Sequence, residues 1–250
     1  REMGAASAVK KGGRLATEGV VKAQSEGPIT VIAEVNSETD FAAKNESFVG
    51  FVDTVIATIL AHKPATVEEL NELTVDGQTI ESVRQELVGK IGENIQIRRF
   101  NILDAGEGTN CIYQHGQKIT VVVRLTQGQE DIGRDLAMQV AATNPLALDE
   151  SGIPADKIEK EKAIFEGQIK DMNKPANVLE NIIKGKINKF VEENTLLGQA
   201  FVKDPKQKVR DYMKANNAEA AEFVRYELGE GMEKKTVSFA DEVEQARGGA

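Results

Sequence analysis

Apolar residues fall at strand and helix spacings along most of the chain. Ile29, Val31, Ala33 and Val35 share one face at period two. They predict a strand that starts after Gly27-Pro28 and runs out in the polar stretch Asn36-Ser37-Glu38-Thr39-Asp40. Phe48, Phe51, Val52, Val55, Ile56, Ile59 and Leu60 then recur at three and four, the stripe of a buried helix. Asn45 or Ser47 can cap it, and His62-Lys63-Pro64 ends it. A short helix and an Asp76-Gly77 turn fill 65–80, and a helix follows over 80–90 with Gly92 as its stop. Alternation predicts strands over 95–102, 109–113 and 118–125, the last two around the loop Gln114-His115-Gly116-Gln117. Ile132, Leu136, Met138 and Val140 mark a helix over 130–142, which Pro145 follows.

The pattern contains an echo. Ile29-Thr30-Val31-Ile32 recurs as Ile119-Thr120-Val121-Val122, and a helix and a proline follow each copy. This predicts two related α/β units. From Pro154 the texture changes. Ile158, Phe165, Ile169 and Met172 form one narrow seam amid Lys and Glu, and Leu179, Ile183, Ile187 and Phe190 form a second beyond Asn173-Lys174-Pro175. Narrow seams can bury only each other, so an antiparallel helical hairpin that projects from the body is expected. Beyond it, 199–202 reads as extended, Asp204-Pro205 as the cap of a helix to about 216, 221–228 as a strand and 239–246 as a short terminal helix. Lys10-Lys11-Gly12-Gly13-Arg14 makes 1–22 read as a flexible basic connector. The fold class is α+β: two related α/β subdomains of antiparallel strands with packed helices, plus a protruding antiparallel helical hairpin.

Composition narrows the function. With 31 Lys+Arg against 40 Asp+Glu, the 250-residue chain carries a net charge of −9, which argues against broad binding to a phosphate backbone. Aromatics are 5% with no Trp, too few for a base-stacking platform. Direct nucleic-acid binding is therefore not expected. No apolar run is long enough to span a membrane. One cysteine and two histidines supply neither a disulfide framework nor a metal site, and a cytoplasmic setting is expected.

No catalytic signature is present: no phosphate loop ending in Gly-Lys-Ser/Thr, no nucleophile elbow, no His-Glu-x-x-His. Gly89-Lys90-Ile91-Gly92-Glu93 lies at a helix end, so its amides point away from any anion. Phe41, between Asp40 and Ala42-Ala43-Lys44, has two readings from the residues alone. It folds back onto its own helix, or it is an exposed anchor for a partner's pocket. His115 reads as a loop-tip residue, His62 as a complement to a helix C-terminus, and Cys111 as core.

These stretches together resemble the bacterial translation elongation factor Ts family. Glu34-Val35-Asn36-Ser37-Glu38-Thr39-Asp40-Phe41-Ala42-Ala43-Lys44 is similar to its Thr-Asp-Phe signature, and Lys90-Ile91-Gly92-Glu93-Asn94-Ile95-Gln96-Ile97-Arg98-Arg99 to a second motif. Tyr113-Gln114-His115-Gly116, Leu136-Ala137-Met138-Gln139-Val140-Ala141-Ala142 and Gly229-Glu230-Gly231 match further, in order along the chain. Gln139 stands where some relatives carry a histidine.

The resemblance implies a domain plan. Residues 1–16 are what remains of a linker after an absent N-terminal three-helix domain. Residues 17–104 form a core N-subdomain, and 105–154 with 194–230 a core C-subdomain. Residues 155–193 form the hairpin and 231–250 a C-terminal module. It also implies a function: a guanine-nucleotide exchange factor that binds elongation factor Tu, GDP-bound or nucleotide-free, with no cofactor, metal or chemical active site. Phe41 would wedge beside the partner's Mg²⁺ region, with Asp40 making polar contacts. The His115 loop would press near the phosphate loop. Thr39, Lys44, Ile91, Gly92 and Glu93 would join the contact surface. The alternative is a binding and stabilising module with weak exchange.

Overall fold

The computed structural model describes residues 2–232. The expected terminal helix over 239–246 lies outside them. Helix α1 (Glu2–Lys11) stands where the Lys-Gly run predicts a connector. Its Ala-rich sequence favours the helix, and Lys10 and Lys11 in the last turn complement its dipole. Strand β1 (Glu18–Glu26) follows, where the spacing shows no strand, and pairs antiparallel with β2 (Ile29–Ser37) from Glu18↔Ser37 to Glu26↔Ile29. A one-turn helix α2 (Asp40–Ala43) precedes α3 (Glu46–His62), which Asn45 caps at Ser47. Helix α4 (Val67–Glu72) leads into a small hairpin, β3 (Thr74–Val75) and β4 (Gln78–Thr79), closed by Asp76-Gly77 with positive φ at both turn residues. Helix α5 (Ile80–Ile91) ends at Gly92, and strand β5 (Gln96–Asp104) returns along the free edge of β2.

The second half repeats this plan. Strands β6 (Thr109–His115) and β7 (Ile119–Gln127) form a hairpin, and α6 (Glu130–Thr143) packs on them. Helices α7 (Ala155–Ile169) and α8 (Ala176–Asn194) follow as the hairpin. Among the described residues there follow β8 (Ala200–Phe201), β9 (Asp204–Lys208), α9 (Val209–Ala215) and β10 (Glu219–Glu227), which pairs with β7. The Asp204-Pro205 segment is thus an edge strand and not a helix cap. Pro205 lacks a backbone donor, which an edge tolerates, and the helix starts only at Val209.

Sheet order is β1-β2-β5 in one half and β10-β7-β6 in the other. In both, a hairpin forms first and the third strand joins the far side of the middle strand. The echoed tetrads open the two middle strands, β2 and β7. One face of each sheet meets helices: Val31, Ala33 and Val35 pack with Phe48, Val52, Val55 and Ile59 of α3, and Val121, Val123 and Leu125 with Leu136 and Val140 of α6. The other faces meet each other through Val21, Ala23, Ile32, Leu103, Val122 and Tyr226. The layers are therefore helix, sheet, sheet, helix. At Gly133, α6 lies so close to β6 that an added Cβ would sit 2.2 Å from the Cys111 sulfur.

The helical hairpin stands apart from these layers. Helix α8 buries no residue fully and α7 only Ile169, while Lys186 lies 5.2 Å from the Phe165 ring across the seam. Its base is tied to the body by Leu146 N–H donating to the Asn194 carbonyl at 2.8 Å and Leu196 N–H to the Ala147 carbonyl at 2.9 Å.

A buried carboxylate sits between the sheets. Glu34 on β2 is fully buried (0% exposed). Its carboxylate accepts from Arg99 Nε at 2.6 Å, Arg98 Nη1 at 3.0 Å, Asn36 Nδ2 at 3.1 Å and Gly229 N–H at 2.8 Å. Burial pushes its pKa up, but the Gly229, Arg99, Asn36 and Arg98 hydrogen bonds together hold it below the ordinary 4.5. The ionised group therefore contributes its full stability above 4.5, and that contribution is lost as pH falls through the lower folded value. Glu34→Gln should cost about 2–4 kcal/mol at neutral pH, because it leaves two half-buried guanidinium groups without their anion. Urea unfolding at a series of pH values checks this. The gap between wild type and variant should narrow below 4.5, and a gap independent of pH refutes the assignment.

Candidate functional site

The stretch from Ser37 to Lys44 forms a tip at the exit of β2. Thr39, in extended conformation, caps α2 by accepting from the Ala42 N–H at 3.2 Å. A single helical turn has two sides. Ala42 and Ala43 are buried under the tip, which leaves Phe41 pointing outward at 80% exposure. The fold-back reading of Phe41 is therefore excluded, and its ring is free for another molecule. Lys44 bonds Asp40 at 2.8 Å and its Nζ lies 6.0 Å from the Phe41 ring centroid.

The tip is held from below by the loop that follows α5. The Glu93 carboxylate accepts from the Glu38 N–H at 3.0 Å, the Thr39 N–H at 2.9 Å and the Thr39 hydroxyl at 2.6 Å. Glu38 answers by accepting from the Asn94 N–H at 2.7 Å and pairing with Arg14 at 3.5 Å. Asn94 in turn donates to the Arg14 carbonyl at 2.7 Å. Gly92 makes this loop possible: its φ of +87° ends α5 in the left-handed region, where a side chain would be strained. Ile91 packs against the core of the first half, with part of its side chain exposed.

Across the tip lies the β6–β7 loop. Val21 N–H donates to the Gln117 carbonyl at 2.9 Å and Leu228 N–H to the Lys118 carbonyl at 2.7 Å. These bonds fix Gln117, Lys118 and Leu228 as one wall of an open cleft of about 400 Å³, with Thr39, Asp40, Phe41 and Lys44 on the other. His115 is not at a loop tip: it ends β6, paired with Ile119, and is exposed along a different, largely apolar groove with Tyr113, Ile119, Met138, Ala141 and Ala142. Its Nδ1 lies 3.4 Å from the Tyr113 hydroxyl. The eight residues singled out by sequence thus fall in three places: the tip (Thr39, Asp40, Phe41, Lys44), its support (Ile91, Gly92, Glu93) and the groove (His115). The sequence pattern missed Glu38, Gln117 and Lys118. Only the pairing of loops distant in the chain reveals them.

Other candidates resolve as structure. Gln139 is fully buried, donates to Gln199 and the Ala200 carbonyl at 3.1 Å each, and accepts from the Val202 N–H at 2.7 Å. It pins the segment after the hairpin onto α6. Cys111 is core, and burial pushes its thiol up to about 11. Among the described residues no cluster of His, Cys, Asp or Glu is arranged to hold a metal, and no helix is long and apolar enough to cross a membrane.

Two small sheets backed by helices, a projecting helical pair and an exposed aromatic at the rim of an open cleft define an α+β protein. Residues 38–230 match the family model described as Elongation factor TS. Elongation factor Ts of Methylococcus capsulatus is 47% identical over 247 residues, 97% of this chain and 84% of that relative. The protein of the same name from Alkalilimnicola ehrlichii is 46% identical over 251 residues, 99% and 86% of the two chains. That from Legionella pneumophila strain Paris is 44% identical over 97% and 84%. The chain belongs to the elongation factor Ts family.

The Lys44 hydrogen bond holds the Asp40 carboxyl below its ordinary 3.8, and the Lys118 charge acts in the same direction. Lys44→Met should therefore raise the Asp40 pKa toward 3.8, read by carboxyl carbon NMR titration. An unmoved titration shows that Lys44 does not pair with Asp40 in solution.

Proposed function

We propose that this chain is a guanine-nucleotide exchange factor that binds elongation factor Tu, GDP-bound and nucleotide-free, and promotes GDP release during translation elongation in the cytoplasm. The observation that carries the reading is the exposure of Phe41, 80%, on a backbone held by hydrogen bonds at both ends. Membership of the family supports it. An aromatic ring presented without packing of its own gains most of its burial only in a partner.

In this reading no bond is made or broken. The Phe41 ring enters between side chains beside the partner's Mg²⁺ region, and Asp40 engages polar groups of the same segment. Ile91 and Gly92 border the contact. His115 and its loop press near the phosphate loop. The partner conformation that accepts these groups holds GDP and Mg²⁺ poorly, so factor and nucleotide weaken each other by the same ratio. Division of labour follows the expected domains. Residues 17–104 carry the tip, and 105–154 with 194–230 carry the opposing loop. The 155–193 hairpin contacts the partner away from the nucleotide.

Release of labelled GDP from elongation factor Tu tests this. Micromolar chain should accelerate release, and no acceleration by folded protein refutes the reading. Phe41→Ala should slow release about 10–100-fold, since the ring meets the partner and little else. Its Tm should stay near wild type. A fall of several degrees, as for a lost core aromatic worth about 3–5 kcal/mol, would mean Phe41 is structural.

A further inference from the structure

The geometry points to Glu93 as a positioning residue that fixes the Phe41 tip and acts on the partner only through it. This rests on the exchange reading above and assigns Glu93 a role distinct from direct contact.

Phe41 is exposed, so no packing of its own ring sets its direction. The backbone from Ser37 to Ala42 sets it. That backbone has a donor-rich bend: the N–H groups of Glu38 and Thr39 and the Thr39 hydroxyl converge on a single carboxylate, Glu93, at 3.0, 2.9 and 2.6 Å. Charge-assisted bonds to adjacent amides are roughly twice as strong as neutral ones and constrain such a bend tightly. Thr39 then passes the constraint on. With its own proton given to Glu93, its oxygen is oriented to accept from the Ala42 N–H and so to start the turn that carries Phe41. Ser37 Oγ donating to the Thr39 carbonyl at 2.9 Å closes the bend from the other side.

The tether is also anchored. Glu93 follows Gly92, whose left-handed φ of +87° turns the chain out of α5. The next residue, Asn94, is buried and bonded to Glu38 and Arg14. The carboxylate is thus rooted in a loop that is itself bonded to its surroundings, and both of its oxygens bond the tip, two donors on Oε2 and one on Oε1. Glutamine can keep much of this pattern: its carbonyl oxygen accepts from both amides, and its NH₂ donates to the Thr39 oxygen. Alanine keeps none of it.

The experiment uses the full chain as wild type, Glu93→Ala, Glu93→Gln, Phe41→Ala and the Glu93→Ala/Phe41→Ala double variant. Amide hydrogen exchange on the chain alone reads the tether. The amides of Glu38, Thr39 and Ala42 should lose about tenfold or more of their protection in Glu93→Ala, keep most of it in Glu93→Gln, and core amides such as Val55 should not change. Labelled-GDP release from elongation factor Tu reads the consequence. Glu93→Ala should slow release about 10–100-fold, with Glu93→Gln largely restoring it. The double variant should be within about twofold of Phe41→Ala, because both changes remove one action. Losses that multiply overturn the proposal, since Glu93 would then touch the partner itself. Unchanged amide protection overturns the tether. A wild-type chain that leaves GDP release unaltered overturns the exchange reading instead, and the amide data then decide alone whether Glu93 orders the tip.

Discussion

A single carboxylate between two sheets sets the terms for the rest of this molecule. The middle strand of each sheet is buried on both faces, so a polar group there must find its partners within the protein. Glu34 sits in the seam between the sheets and is satisfied by donors from three segments: Arg98 and Arg99 on β5, Asn36 on its own strand, and the Gly229 amide in the turn after β10. A hydrophobic residue there would pack as well but would not choose among these segments. The carboxylate does choose. It couples the irregular step in the β2–β5 ladder between Glu34 and Val35 to the end of a strand from the other half. Arg99 strengthens the joint by lying 4.1 Å over the Tyr226 ring.

The cleft beside Phe41 inherits its shape from that seam. One wall belongs to the exit of β2 and the other to the β6–β7 loop and Leu228, the residue before Gly229. The walls are held facing each other by Val21 bonding Gln117, Leu228 bonding Lys118 and Glu34 holding Gly229, together with the apolar seam between the sheets. Rigid placement has a thermodynamic use. A fully buried phenyl is worth about 1.5–3 kcal/mol relative to an exposed one, and the free chain forgoes that at Phe41. A loose tip would spend part of the same energy on ordering when a partner arrives. In the exchange reading proposed above, a backbone held in advance by Glu93 with the ring left bare would keep that energy for the contact.

Much of the architecture was legible because period and punctuation agreed. Strand β2, helix α3 with its Asn45 cap, α5 with its Gly92 stop, and the hairpin with its two narrow seams all follow from local pattern. The failures have local causes. Strand β1 sends Val20 to the helix-side core and Val21 and Ala23 to the seam, so its apolar residues do not alternate. Helix α1 packs through small residues: a Cβ on Gly4 would lie 3.1 Å from the Gln85 carbonyl, and close approach of this kind leaves no large apolar stripe to read. In β9, Asp-Pro looks like a helix start, but strand pairing with β8 decides the matter. The tip itself was legible only as a question. Whether Phe41 points in or out depends on Ala42 and Ala43 taking the inner side of a single turn, and on Glu93, 54 residues from Thr39, closing the bend.

The two halves share a plan but not a site, and they diverge in the segment just after the middle strand. After β2 the chain makes the capped turn α2 before α3 begins, which creates room for an outward side chain. After β7 it passes through Gly128 almost directly into α6, and the corresponding space is closed by Gly133 against Cys111. The second half instead inserts its extra length as the α7–α8 pair and turns Gln139 inward to pin the returning chain. One scaffold, used twice, thus devotes its spare residues to an exposed tip in the first copy and to a projecting arm in the second. Both additions stand outside the packed layers, and the sheets and their helices carry the burial that the additions lack.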